Sequence, residues 1–414
     1  MKKEIVYQQV IEVGCGIDVH KDVIVATIRK NSKDYETREF NSFTSSLTDL
    51  KDWCKQEKVT HIAMESTGIY WKPVFNVLED ASFEIILVNA RHVKNIPGHK
   101  TDKKDSAWLS KLLLSGLLKG SFIPSVDIRE LRDLVRYKKK KTQQAAADKN
   151  RMIKILEDCN VKLSSVVSDV QGVSATKIID AITNGETDID VLVSFIHGKV
   201  KTDRDVIKKA LEGKVTAHHR FMLQMARESI NVTEALIKKL DDQIEIASKA
   251  YQVEIQLLQT IDGVRKDSAI AIISEIGVDM EQFPNEHHLA SWSGVSPGNN
   301  ESAGKKKSSR TIHGNKHLQA TLTESAWGAS RKKDGYFKQK YQKLLVRKGS
   351  KKAIVAVAHK IIIAAYQVIK KKEAYTSPLL DDTKFNEKQK QKEIQKTIVK
   401  MNKLGFTVRI TPII

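Results

Sequence analysis

Four carboxylates are the residues in this chain best placed to do chemistry. Asp18 closes the apolar run Val13–Ile17 and Glu65 closes His61–Met64, so each is expected at the end of a strand. Asp102 and Asp105 stand just ahead of the apolar stretch Ala107–Leu118, three residues apart, which sets both on one face of a helix. Two carboxylates about 4 Å apart repel by about 4 kcal/mol at an effective dielectric near about 20. A cluster of four therefore needs a cation, and all-oxygen ligands without His or Cys select a hard one, Mg²⁺ or Mn²⁺. Two such ions roughly 4 Å apart can activate the attacking oxygen and stabilise the leaving one in phosphodiester cleavage. Each acid also has a plain structural reading. Asp18 could open a turn, Glu65 could be an exposed strand end, and Asp102 and Asp105 could be a helix cap and its first-turn partner. The chemical reading requires the first and fourth strands to be neighbours, with the aspartate-bearing helix packed on the sheet.

The elements that must position these acids lie in residues 11–125, expected to be one α/β domain. Strand-like runs VGCGIDV, VIVATI, THIAM and FEIILVN, with a weaker YETREF, alternate with the helical patterns SLTDLKDWCKQEK and YWKPVFNVLEDA. His20-Lys21-Asp22 is a short polar turn, so the first two strands should form a hairpin, while later strands separated by helices should run parallel. The sheet is therefore expected to be mixed. Residues 127–250 lack strand patterns and read as all-α. In their last helix Met225, Val232, Leu236, Leu240 and Ile244 form a seam suited to a bundle core or to a coiled-coil dimer. Residues 255–370 form a third, helical unit, and 371–414 a charged tail.

Charge narrows the class of partner. The 414 residues carry 70 Lys+Arg against 50 Asp+Glu, a net +20, which favours a polyanion such as nucleic acid. The excess is concentrated: residues 301–352 hold 15 Lys/Arg against 3 Asp/Glu, the best candidate for a DNA-gripping surface. It includes Lys305, Lys306, Lys307, Arg310, Lys316, Arg331, Lys332 and Lys333. Three scattered cysteines, Cys15, Cys54 and Cys159, exclude a disulfide framework or Cys-rich zinc site and suit a reducing cytoplasm. The N-terminus lacks the apolar run of a signal peptide. The most apolar stretch, 353–369, is broken by His359, Lys360 and Gln367 and reads as a buried helix, with no membrane expected.

The contexts Gly16-Ile17-Asp18-Val19-His20-Lys21, Met64-Glu65-Ser66-Thr67-Gly68 and Lys100-Thr101-Asp102-Lys103-Lys104-Asp105 together resemble the DEDD transposases of the IS110 insertion-sequence family. That resemblance implies a RuvC-like N-terminal domain with a ribonuclease-H fold, and Asp18, Glu65, Asp102 and Asp105 as metal ligands. Further on, Leu257–Val264 followed by a helix resembles a helix-hairpin-helix opening, where the turn at Gly263 and a helix N-terminus could offer N–H groups to phosphate. A connector between helices is the structural alternative. Leu289–Pro297 and the Gly298–Lys305 loop resemble the family's C-terminal transposase motif, which implies Ser302 as nucleophile. Ala303 and Glu301 depart from that motif, which leaves Ser308 and Ser309 as substitutes. Lys305, Lys306, Lys307 and Arg310 could stabilise the charge of the phosphoryl transition state. His313, His317 and His359 lack a metal-ligand spacing and are read as phosphate or surface contacts.

The expected function is thus a bacterial transposase or DNA recombinase, cytoplasmic and nucleoid-associated. It would exchange strands of donor and target DNA with Mg²⁺ or Mn²⁺. The resemblance further implies an element-encoded guide RNA and a homo-oligomer, dimer or tetramer. Two other functions compete: a RuvC-like structure-specific nuclease using water as nucleophile, and an architectural nucleic-acid binder without catalysis.

Overall fold

The computed structural model describes residues 9–66, 68–89, 105–196, 202–298, 300–302, 305–308, 310–333, 335–378 and 383–407. Internal contacts divide the chain into two compact units, Met1–Ile123 and Pro124–Ile414.

The first unit is a five-stranded mixed sheet in the order β3-β2-β1-β4-β5. β1 (Gly14–Val19), β2 (Val23–Arg29) and β3 (Tyr35–Asn41) form the expected antiparallel meander. β4 (His61–Glu65) and β5 (Glu84–Val88) add in parallel, β4 directly beside β1. Helices α1 (Thr44–Gln56) and α2 (Trp71–Glu79) supply the crossovers. α3 (Asp105–Leu114) already includes Asp105 and Ser106, ahead of the apolar stretch, and ends sooner than the sequence pattern suggests.

Strand alternation sorts the side chains between two faces. Cys15, Ile17, Ile24, Ala26, Ile28, Ile62, Met64 and Leu87 share one core with Leu47, Leu50 and Trp53 of α1 and Val74 and Leu78 of α2. The intervening residues of β1 and β4 face the other way, where α3 packs. There Val88 of β5 meets Leu109 and Leu112 of α3. Helices on both faces of a mixed sheet in this order are consistent with the ribonuclease-H-like domain that the family resemblance implies.

The second unit is mostly helical. α4 (Val126–Asp158) is followed by the short helices α5 (Leu163–Val166), α6 (Val173–Thr183), α7 (Ile189–Ser194) and α8 (Arg204–Leu211). α9 (Ala217–Ala247) then returns antiparallel along α4, bridged by Lys138–Asp241 and Lys149–Glu234. The short helices close one end of this pair over a core that includes Met152, Ile178, Ile182, Ile207 and Leu223.

The inward face of α9 differs from the expected seam. Leu223, Ala226, Ile230, Thr233 and Ile244 are buried, whereas Met225 and Val232 are 38% and 62% exposed. α9 carries two apolar stripes, and periodicity alone does not say which one the chain itself covers.

Beyond α9 come α10 (Gln252–Gln259), α11 (Lys266–Ile276), α12 (Glu286–Trp292), β6 (Asn300–Ser302) and β7 (Lys305–Ser308). They are followed by α13 (Lys316–Ala329), α14 (Tyr336–Lys348), α15 (Ser350–Lys371) and α16 (Thr383–Lys403). The antiparallel pair β6–β7 was absent from the helical reading of this region. α15 is long and apolar enough to cross a membrane by length and composition. It is instead the central core helix, with Ala353, Val357, Ile361, Ile362 and Ala365 fully buried among its neighbours.

Candidate active site

Asp18 and Glu65 reach the same place because their strands are parallel neighbours. The register pairs Ile17 with Met64, so the next residue of each strand is an acid at the carboxyl end. Both acids alternate away from the Ile17 and Met64 core and onto the face that carries α3.

The glycines of β1 then let α3 come close. A Cβ at Gly16 would fall 2.3 Å from the Ser106 carbonyl oxygen and 2.4 Å from the Ser110 nitrogen. At Gly14 it would meet Leu113 and Leu114, so the helix runs antiparallel to β1 and starts above the strand's carboxyl end. Asp105, in the first turn of α3, is thereby delivered beside Asp18. Polar pins fix the helix. Ser106 Oγ shares a 2.8 Å hydrogen bond with Thr27 Oγ1, which is 2.9 Å from Thr37 Oγ1. Arg29 Nε donates to Ser110 Oγ at 3.1 Å and its Nη1 donates to the carbonyls of Asn31 and Ser32.

The electrostatics register this meeting. Burial pushes the Asp18 carboxyl above its ordinary range; His20 opposes the shift, while Asp105 and Glu65 add to it. His20 Nε2 lies 3.0 Å from Asp18 Oδ2. Among the described residues, no group of three or more His, Cys, Asp or Glu side chains forms a ready metal site. Asp102, the fourth expected ligand, lies outside the described residues. The three described acids are an all-oxygen donor set with mutual repulsion on a partly buried face. That chemistry suits a hard divalent cation and no soft one.

His20, Gly16, Thr27, Arg29, Ser106 and Ser110 were not singled out from the sequence. His20 had a signal, since it stands two residues past Asp18 and so on the same side of the chain. For the others, the need appears only once α3 is laid on β1.

The serine region is built differently. Ser302 is the last residue of β6 and pairs with Lys305 of β7, so it sits at the tip of a short antiparallel hairpin with a bulge at Asn300/Glu301. The base of the hairpin is tied by the Pro297–Thr311 bridge and by the Gly298 N–H donating to the Arg310 carbonyl at 2.8 Å. Lys305, Lys306 and Lys307 lie along β7. Arg310 is exposed beyond it, and the Ser308 hydroxyl accepts from its N–H at 3.2 Å. Ser309 lies outside the described residues.

Behind the hairpin, Asn315 caps α13 and its amide donates to Glu275 Oε2. Glu275 is also held by Arg136 at 2.7 and 2.8 Å, and its backbone carbonyl accepts from Arg132. Burial would raise the Glu275 carboxyl, but Arg136, Asn315 and Arg132 together hold it below its ordinary value. His317 is lowered by burial and by Arg136, and His359 by burial and Lys360. His313 is exposed.

The Gly263 turn has a packing explanation. Its φ is +84°, and a Cβ would come 2.2 Å from the Ser325 carbonyl oxygen of α13. Helix contact therefore accounts for the glycine without any ligand. Lys316, Arg331, Lys332 and Lys333 are all exposed, and Lys332 is paired with Asp262 at 2.5 Å.

Two family models match the chain in the regions that carry these features. Residues 15–161 match the DEDD transposase model of IS110, described as Transposase, and residues 255–342 match Transposase IS116/IS110/IS902 family. No curated protein matches it. The acid cluster falls in the first matched region and the serine hairpin in the second; the chain belongs to the IS110 family of transposases.

Proposed function

We propose that this transposase cleaves and exchanges DNA strands with Asp18, Glu65, Asp102 and Asp105 holding Mg²⁺ or Mn²⁺, and with Ser302 as nucleophile. The observation that carries this reading is the convergence of Asp18, Glu65 and Asp105 on one face at the carboxyl end of β1 and β4. Bound there, the ion would supply Lewis-acid stabilisation of charge on phosphoryl oxygens.

The chain's own residues supply the rest. The acids orient the ion, and the glycine-lined face of β1 holds Asp105 rigidly against Asp18. His20 restrains the Asp18 carboxylate. The Ser302 oxygen attacks phosphorus as the bond to the departing sugar oxygen breaks, and the serine proton passes to that sugar oxygen, which leaves as a hydroxyl. The resulting phosphoserine ester conserves the bond for rejoining when another sugar hydroxyl attacks. The backbone position of Ser302 at a hairpin tip among lysines supports this assignment, because a tip can enter a DNA groove that a helix core cannot. Lys305, Lys306, Lys307 and Arg310 would hold the strand and meet the charge of the pentavalent state. Lys316, Arg331 and Lys333 extend the phosphate contacts, whereas the Gly263 turn, explained by its packing on α13, carries none of this reading.

Family membership also supports donor and target DNA as the substrates. An element-encoded guide RNA as partner and a bacterial cytoplasmic, nucleoid-associated setting belong to the same proposal and rest on the resemblance alone. The outward stripe of α9, with Phe221, Met225 and Val232 exposed, supports a homo-oligomer.

The test is a cleavage assay with Mg²⁺ in which the covalent adduct is trapped and mapped by mass spectrometry. Phosphoserine at residue 302, lost in Ser302→Ala, is expected. A Ser302→Ala protein that still cuts would make the chain a nuclease with water as nucleophile. Unchanged recombination by Asp18→Ala would leave only a DNA-binding role.

A further inference from the structure

A cleft of about 350 Å³ opens in the second unit between α14, α15 and the segment 373–378. That volume lies within the range of small-molecule sites, roughly 300–1,000 Å³. One wall is aromatic: Tyr336 and Phe337 begin α14, and Tyr375 stacks on Phe337 at 5.8 Å with an interplanar angle of 17°. The Tyr375 N–H donates to Thr260 Oγ1 at 2.8 Å, which pins this wall in place. The opposite wall is a single face of α15, where Lys360, Gln367 and Lys371 recur at spacings of seven and four with Ile363 and Ala364 between them.

The chemistry of the lining is unusual for a packing void. Lys360, Lys371 and the Gln367 amide make no ion pair or side-chain hydrogen bond among the described residues. Among the described residues, Glu373 is the one acid lining the cleft. Burial, with Tyr336 nearby, pushes the Tyr375 phenol up to about 12, so its ring faces the cleft as a neutral surface. A Phe337–Tyr375 stack with Tyr336 edge-on to Phe337 at 74°, an amide able to donate and accept, and two ammonium groups match one ligand chemistry. They suit a planar base with a phosphate on either side.

We propose that this cleft takes one unstacked base of a single DNA strand, stacked on Tyr375 with the Tyr336 ring edge-on beside it, Gln367 on the base edge and flanking phosphates on Lys360 and Lys371. The choice of DNA rests on the chain acting on DNA as a transposase. A strand being cut and rejoined must leave its duplex, and a site that holds an extruded base would keep it from re-pairing.

The experiment uses the full chain with metal chelated, so that no cleavage occurs. A short single-stranded DNA with 2-aminopurine at one position should lose fluorescence on binding as the base stacks. Tyr375→Ala should abolish the quench and weaken single-strand binding about tenfold, and Tyr336→Ala should reduce the quench. Lys360→Gln and Lys371→Gln should each lower the slope of log affinity against log salt by about one. Gln367→Ala, on a half-exposed helix face, should weaken binding with its melting temperature unchanged, so the test does not hang on the tyrosine variants folding. Duplex affinity should be the same in all five variants. A quench that persists in Tyr375→Ala overturns the proposal, as does equal loss on duplex DNA or a loss confined to RNA of the same sequence. If the unaltered chain bound DNA in no form, the transposase reading would fail before the cleft was in question.

Discussion

Asp18 in the sheet unit and Glu275 in the helical unit are both shielded acids, with side chains 20% and 4% exposed, yet they are treated in opposite ways. Two arginines and an amide surround Glu275, so it is held below its ordinary pKa despite the deeper burial. Among the described residues, burial, Asp105 and Glu65 raise the pKa of Asp18 while His20 opposes the rise, and the net shift is upward. The fold thus lowers the pKa of the acid that ties helices together and raises that of the acid at the end of β1. A shielded acid whose pKa is raised by burial and by neighbouring acids is the expected mark of a functional site.

The sharpest way to break this contrast is to neutralise each acid. Asp18→Asn should lower DNA cleavage by on the order of 10³-fold, the scale of losing a main electrostatic contributor to catalysis. Its melting temperature without divalent ions should stay level or rise, because a repulsive charge is removed. Glu275→Gln should do the reverse and destabilise by about 3 kcal/mol, since it strands Arg132 and Arg136 around a neutral group. Thermal melts of the two variants beside a cleavage assay would decide the matter. Loss of stability in Asp18→Asn equal to that in Glu275→Gln would mean that both acids are structural.

Acid titration sharpens the same comparison. The folded Glu275 binds its proton only below the ordinary carboxylate value of 4.5, whereas the unfolded chain binds it near that value. In the interval the unfolded state holds more protons, so stability rises with pH there. The contribution is complete above the unfolded value and is lost as pH falls through the folded one. The wild-type melting temperature should therefore fall more steeply on acidification than that of Glu275→Gln. Parallel curves would show that the clamp contributes nothing.

How much of this was legible follows from how far each feature reaches along the chain. The β1–β2 hairpin, the parallel placement of β4 and the acids at the strand ends were readable, because each is set by a run of a few residues and its turn. The Glu275 clamp was not, since its partners Arg132 and Arg136 are some 140 residues away and no local pattern marks them. The inner face of α9 was legible only in part: Ile244 of the expected seam is buried and Leu236 and Leu240 are half-buried, but two stripes share the helix and only tertiary packing selects Leu223, Ala226 and Ile230. The β6–β7 pair was missed because Lys305-Lys306-Lys307-Ser308 lacks the apolar alternation by which strands are recognised, and its pairing is set by the ties at 297–298 and 310–311.

Smaller perturbations test whether the acid site depends on close backbone approach. Gly16→Ala places a methyl against the backbone of Ser106 and Ser110, which cannot swing aside as a side chain would. Overpacking of this kind costs about 1–3 kcal/mol, and here it should also lift the start of α3 and carry Asp105 away from Asp18. Cleavage should therefore drop by more than the stability loss explains at a temperature well below melting. Gly277 gives the matching control in the helical unit, since open space surrounds its Cβ position and its φ of +68° is the only obstacle. Gly277→Ala should cost about 1 kcal/mol by backbone strain and leave cleavage per folded molecule unchanged.

The smallest effect expected is that of Ser106→Ala, and its size separates two roles for the pins beneath α3. Thr27 Oγ1 would keep Thr37 as a partner after the change, so no buried hydroxyl is left wholly unsatisfied. The loss should then be that of one ordinary hydrogen bond, about 0.5–1.5 kcal/mol in the melt. If Ser106 merely adds stability, activity per folded molecule will match wild type. If it sets the height of Asp105 above β1, the metal concentration needed for half-maximal cleavage should rise severalfold, and Ser106→Thr, which restores the hydroxyl, should recover it.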